Sequence, residues 1–200
     1  MKHLLCLILS VALLATTVSS RPGGIDSSGN NGCVCHGGAD DSTTVSLEGI
    51  PTIYDPGVTY FIYINITSPV IQNDELAQGG FRLTSDSAYS DFEIEGAQFI
   101  DGGLTHNYSI NGQRSWSGNW TAPEQSDLGV RITLAGNAVD GDNSTDGDEW
   151  NLETYAIRGP DYIGDLEPED IELGLSTVEM VVGGLIFMAV GYFAIISMRD

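Results

Sequence analysis

Apolar and polar residues alternate over several short stretches of this chain. Val58, Tyr60, Ile62, Ile64 and Ile66 alternate with Thr59, Phe61, Tyr63, Asn65 and Thr67. That period of two predicts a strand with one buried face, and the turn signal Asp55-Pro56-Gly57 precedes it. Phe61 and Tyr63 fall on the polar face, where aromatic rings suit cover by a loop. The same period returns at Phe81 and Leu83, at Trp116, Gly118 and Trp120, and at Val130, Ile132 and Leu134. Weaker strands are expected near residues 44–48, 92–99, 104–110 and 150–157. Short strands with turn-rich breaks and no long amphipathic helix predict an all-β fold, an antiparallel β sandwich.

The two ends follow other patterns. Residues 1–20 have a charged start at Lys2 and His3, an apolar run from Leu4 to Leu14, and small residues at Val18-Ser19-Ser20. They read as a signal peptide cut before Arg21, which removes Cys6 and His3 from the chemistry. Residues 21–32, rich in Gly, Ser and Asn, are expected to be a flexible leader. The sandwich occupies 33–158, and 159–177 is expected to be an acidic stalk with Pro160 and Pro168. Residues 178–198 are expected to form one transmembrane helix, since Met180 to Met198 is uncharged and long enough to cross hydrocarbon. The protein is thus expected in the cell membrane as a single-pass chain with its N-terminal domain outside.

Charge narrows the partners. The formal net charge is −21, and Lys2, the only lysine, lies in the signal. Such a surface repels nucleic acid and anionic headgroups, so no nucleic-acid partner is expected; the acidity itself suits solubility in salt. Four sequons begin at Asn65, Asn107, Asn119 and Asn143. Asn65 and Asn119 fall on the face that alternation marks as exposed, where a glycan is carried without burial. No nucleophile motif, phosphate loop or placed acid/base pair is present, and the chain reads as a non-enzyme.

Four blocks resemble a known family: Gly49-Ile50-Pro51-Thr52-Ile53-Tyr54-Asp55-Pro56-Gly57-Val58-Thr59-Tyr60, Gly80-Phe81-Arg82-Leu83-Thr84, Trp116-Ser117-Gly118-Asn119-Trp120-Thr121-Ala122-Pro123, and the stretch from Leu134 through Asp142 to Gly147-Asp148. In this order they resemble the reelin-like (reeler) domain in its prokaryotic form, the choice-of-anchor V family, over roughly Gly32 to Ile157. The resemblance implies an immunoglobulin-like sandwich on an exported protein with a C-terminal anchor. It also implies a haem-attachment-like Cys-x-x-Cys-His near the start and a histidine near position 106. This chain departs by one residue, with Cys33-Val34-Cys35-His36.

Cys33, Cys35, His36 and His106 are the candidate cofactor residues. In a c-type haem centre the thiols bond covalently to the macrocycle and the next histidine ligates iron, with His106 as the second axial ligand. Thiols two residues apart on an extended chain face opposite ways, so this use needs a bend that β-branched Val34 resists. The alternatives are a strained Cys33–Cys35 disulfide or free thiols, and a copper or zinc site built from the same four residues. Asp140, Asp142, Asp146 and Asp148 form a calcium candidate, although the loop fails the EF-hand pattern and also reads as a solvated acidic hairpin. The leading expectation is a membrane-tethered electron carrier like a c-type cytochrome. The alternative is a glycosylated cell-surface adhesion or interaction module.

Overall fold

The computed structural model describes residues 21–36, 38–73, 76–88, 90–142, 144–171 and 177–197. The expected signal peptide, the Asn143 sequon site and Met198 lie outside the described residues. The strands are β1 (Thr44–Glu48), β2 (Thr59–Thr67), β3 (Gly79–Ser85), β4 (Asp91–Ile94), β5 (Gln98–Ile100), β6 (Gly103–Thr105), β7 (Ser115–Thr121), β8 (Gly129–Ala138) and β9 (Glu149–Arg158). They form two antiparallel sheets, in the orders β1-β2-β7-β4 and β5-β6-β3-β8-β9. The inward residues of both sheets share one core, in which Ile62, Ile64, Leu83, Trp120, Val130, Ile132 and Leu134 have no exposed surface. Tyr60 stacks on Trp120 at 5.5 Å, and Tyr54 meets the same indole edge-on at 6.2 Å.

Alternation therefore read the phase of β2, β7 and most of β8 correctly, with four departures. Val58 lies ahead of the strand and is exposed. Residues 92–99 are not one strand: the chain leaves the four-stranded sheet after Ile94, turns at Gly96 with φ +77°, and joins the five-stranded sheet at Gln98. The strand expected over 104–110 is only the end of β6, with a turn at 107–110 in place of its continuation. Phe61 and Tyr63 lie under no loop, being 68% and 38% exposed.

Elsewhere alternation fails because both faces are covered. Residues 79–83 of β3 and 134–138 of β8 are all buried. Over Arg82 of β3 the cover is the leader, which is pinned to the sandwich rather than free, and over Ala135 and Asn137 of β8 it is the Cys33–His36 turn. Arg82, 1% exposed, reaches out from β3 and donates to Asn30 Oδ1 (2.8 Å), to the carbonyls of Ile25 (3.0 Å) and Ile100 (2.7 Å), and to Asp101 O (2.9 Å). Asn111 donates to Pro22 O at 2.9 Å, and Ile25 N–H to Thr105 Oγ1 at 3.3 Å. A buried guanidinium is tolerable only when its fork is satisfied in this way.

The first half of the expected stalk also lies along the sandwich: Leu166 is buried, and Thr154 donates to Glu169 O at 2.8 Å. The helix α1 (Thr177–Ser197) belongs to a separate compact unit. Among the described residues no helix is long and apolar enough to cross a membrane, so the transmembrane helix expected over 178–198 is not found.

Candidate functional site

The site grows from the covered outer face of β3 and β8. Gly32, with φ +109°, lays its backbone against the Trp150 ring, where any side chain would collide with the indole. This contact delivers Cys33 into a small apolar cluster with Ala135, Trp150 and Leu152. Residues Val34–His36 then form a single 3-10 turn closed by His36 N–H to Cys33 O at 2.8 Å. The bend that Val34 opposes is thus made, with the Val34 side chain left in solvent. The turn separates the thiols by environment: Cys33 is buried, Cys35 is exposed, and both are free. Burial pushes the Cys33 thiol up to about 12, so it stays protonated and unreactive in the folded protein.

His36 is held from the far end of the chain. Its Nδ1 lies 2.7 Å from Asp148 Oδ2, and Asn137 Nδ2 approaches its Nε2 at 3.4 Å. With the proton on Nδ1 donated to the carboxylate, Nε2 keeps its lone pair; this is the tautomer in which histidines ligate iron or zinc. Asp148 is buried, and burial raises its carboxyl above the ordinary value although His36 pulls the other way. Its second oxygen accepts Asp140 N–H at 3.3 Å.

His106 is also buried, beside Gly80, where a Cβ would strike the imidazole. Phe81 N–H donates to its Nδ1 at 3.0 Å, and the ring bonds the Arg21 backbone as well. Burial holds His106 below the ordinary imidazole range, so it is neutral near pH 7. Cys33, Cys35, His36 and His106 all line one narrow cleft of about 90 Å³, together with Asn137 and the leader residues Arg21, Pro22 and Ile25.

The Cys33–His36 turn and His106, far apart in sequence, therefore line the same cleft. The four calcium candidates do not form an ion cage. Asp140 Oδ1 accepts Asp142 N–H (3.0 Å) and Asp142 Oδ1 accepts Ser144 N–H (2.6 Å), ordinary turn bonds of an acidic loop. Asp148 is turned to His36 instead. Among the described residues no group of three or more His, Cys, Asp or Glu could hold a metal ion, the Cys/His set included. Sequence reasoning missed Asn137, Trp150 and Arg82, and gave Asp148 the wrong partner. Only the break in alternation at Ala135-Gly136-Asn137-Ala138 hinted that this face was covered.

Of the sequon asparagines, Asn119 is exposed and Asn65 half-buried on the outer face of the four-stranded sheet. Asn107 sits in a turn, where its Oδ1 accepts Ser109 N–H at 2.7 Å.

No protein-family model and no curated protein matches this chain. Among solved structures it is similar to the human F-spondin reeler domain, with 16% identity and a TM-score of 0.40, over 60% of this chain and 92% of that one. A second structure, the Reelin-N domain of F-spondin, gives 19% identity and a TM-score of 0.37 over 60% and 88%. AvmM, which catalyses macrocyclization in alchivemycin A biosynthesis, gives 12% and 0.38 over 67% and 94%.

Proposed function

We propose that this protein is an exported, membrane-anchored electron carrier of the choice-of-anchor V kind, an immunoglobulin-like sandwich that would hold haem against the Cys33–His36 turn, at the mouth of the narrow cleft that runs on to His106. The observation that carries this reading is the convergence of both free thiols and both described histidines on one cleft, with His36 oriented by Asp148. A metal site built from protein alone needs three or four ligands, and the described residues supply no such group. A haem brings its equatorial ligands and asks the chain for only one or two. When bound it supplies one-electron chemistry at its iron.

The chain's residues divide the work. His36 Nε2 would ligate the iron once the Asn137 amide gives it up, and the bond from Nδ1 to Asp148 holds the imidazole in the ligating tautomer. Cys35, exposed on the turn, is the residue for a single thioether; Cys33 packs under Trp150 and stays a thiol. His106 can serve as second ligand only if the Arg21 backbone releases its ring. Export and anchoring are supported by residues 1–20 and by the uncharged run to Met198, whose described apolar side chains are exposed along α1.

The test is an absorption spectrum of the full chain from its own membrane, oxidised and dithionite-reduced. A Soret band that survives acid-acetone extraction is expected, and its pyridine haemochrome should report one thioether. Cys35→Ala should abolish covalent attachment, and Cys33→Ala should retain it. A featureless spectrum from intact protein overturns the reading and leaves a surface interaction module as the working function.

A further inference from the structure

The outer face of the four-stranded sheet carries two aromatic rings that the fold does not use. Outward positions there are polar on every strand: Thr44, Ser46 and Glu48 on β1, Ser115, Ser117, Asn119 and Thr121 on β7, Asp91 and Glu93 on β4. β2 breaks this pattern with Phe61 and Tyr63, 68% and 38% exposed. In the register of β2 and β7, Phe61 lies directly opposite Asn119. Their Cβ atoms are thus roughly 5 Å apart. Tyr63 precedes Asn65 by two residues on the same strand face, a spacing of about 7 Å. Both asparagines begin sequons, and Asn65 Nδ2 already donates to the sequon hydroxyl Thr67 Oγ1 at 3.2 Å.

We infer that Phe61 and Tyr63 are seats for N-linked sugars, with the first sugar on Asn119 lying over Phe61 and the first sugar on Asn65 over Tyr63. A pyranose ring has one face of axial C–H groups, weakly positive and poorly hydrated. An aromatic ring offers a negative, apolar face of similar breadth. Attachment next to the ring removes most of the entropy cost of bringing the two together. Each aromatic thereby loses its exposed apolar surface to a partner the chain itself carries, and the sheet face becomes uniformly polar to solvent. Phe61 and Tyr63 gain the cover that the sandwich does not give them.

The inference rests on the proposal that the chain is exported, and the test separates the two. The full chain is made in a secretory host that modifies Asn-x-Ser/Thr, and occupancy is read by glycopeptide mass spectrometry at Asn65, Asn119 and the turn site Asn107. Double-mutant cycles then pair Phe61→Ser with Asn119→Gln and Tyr63→Ser with Asn65→Gln. With its sugar present, each aromatic replacement should lower the melting temperature by about 4 °C; in the Gln background the loss should fall to about 1 °C or vanish. In the unmutated glycoprotein, ring protons of the first sugars should resonate upfield under the aromatic faces. Equal losses in both backgrounds overturn the inference, as do bare Asn65 and Asn119 beside a modified Asn107. Three bare sites overturn it together with export.

Discussion

At the scale of single residues, two buried groups make stability depend on pH in opposite senses. His106 is neutral because burial lowers its pKa. Between that lowered value and about 6.5 the unfolded chain binds more protons than the folded one, so stability rises with pH through this window. It is fully present above it and is lost as the solution is acidified. Asp148 works the other way: its raised pKa makes the folded state bind the extra proton from about 3.8 upwards, so its contribution falls as pH rises. The expected result is a urea midpoint that drops from pH 7 to pH 5.5, by up to about 1.4 kcal/mol per pH unit for one proton. His106→Gln should flatten that slope while keeping a hydrogen-bond acceptor for Phe81 N–H. An unchanged slope would move the titration to another group. Neither residue's state could be read from the sequence, where His106 is only a histidine before a sequon and Asp148 one acid among many.

Among the elements, the strands were legible and the leader was not. Trp116, Trp120, Val130, Ile132 and Leu134 announce their buried face because they alternate with polar residues in solvent. Arg82 holds the same alternating position as Arg131, yet Arg82 is buried and Arg131 half-exposed. What distinguishes them is cover by residues distant in sequence, which no local pattern encodes. Composition marked 21–32 as flexible for the same reason: Gly, Ser and Asn lack apolar anchors, but here the carbonyls of Pro22 and Ile25 and the amide oxygen of Asn30 are the anchors. Arg82→Met is therefore expected to cost about 2–3 kcal/mol, since the carbonyls of Ile25, Ile100 and Asp101 lose their donor. It should also make the leader the first target of limited proteolysis. Arg82→Lys should restore little of this, because an ammonium cannot replace a planar fork bonded on several sides.

Across the whole molecule, the sandwich is complete without the C-terminal helix. Its core cluster is drawn from residues between Val45 and Ile157, and the helix forms a unit of its own. A chain of residues 21–171 is expected to fold and to unfold cooperatively. In the same detergent its denaturation midpoint should match that of the full chain; a large drop would mean that the sandwich draws stability from the C-terminal segment.

The ion-pair-like contact of His36 with Asp148 spans 112 positions along the chain. Its two halves leave the ribosome at opposite ends of the domain's synthesis, with Asp148 in the turn that joins β8 to β9. Both thiols thus emerge early, long before Asn137, Asp148 and Trp150 exist to receive them. Loop closure over such a distance is slow and is rewarded only once the sheets are in place. The cleft is in this sense a record of finished folding. A nascent or truncated chain that stops short of Trp150 carries the cysteines in an unprotected form, and only the completed domain hides one and presents the other.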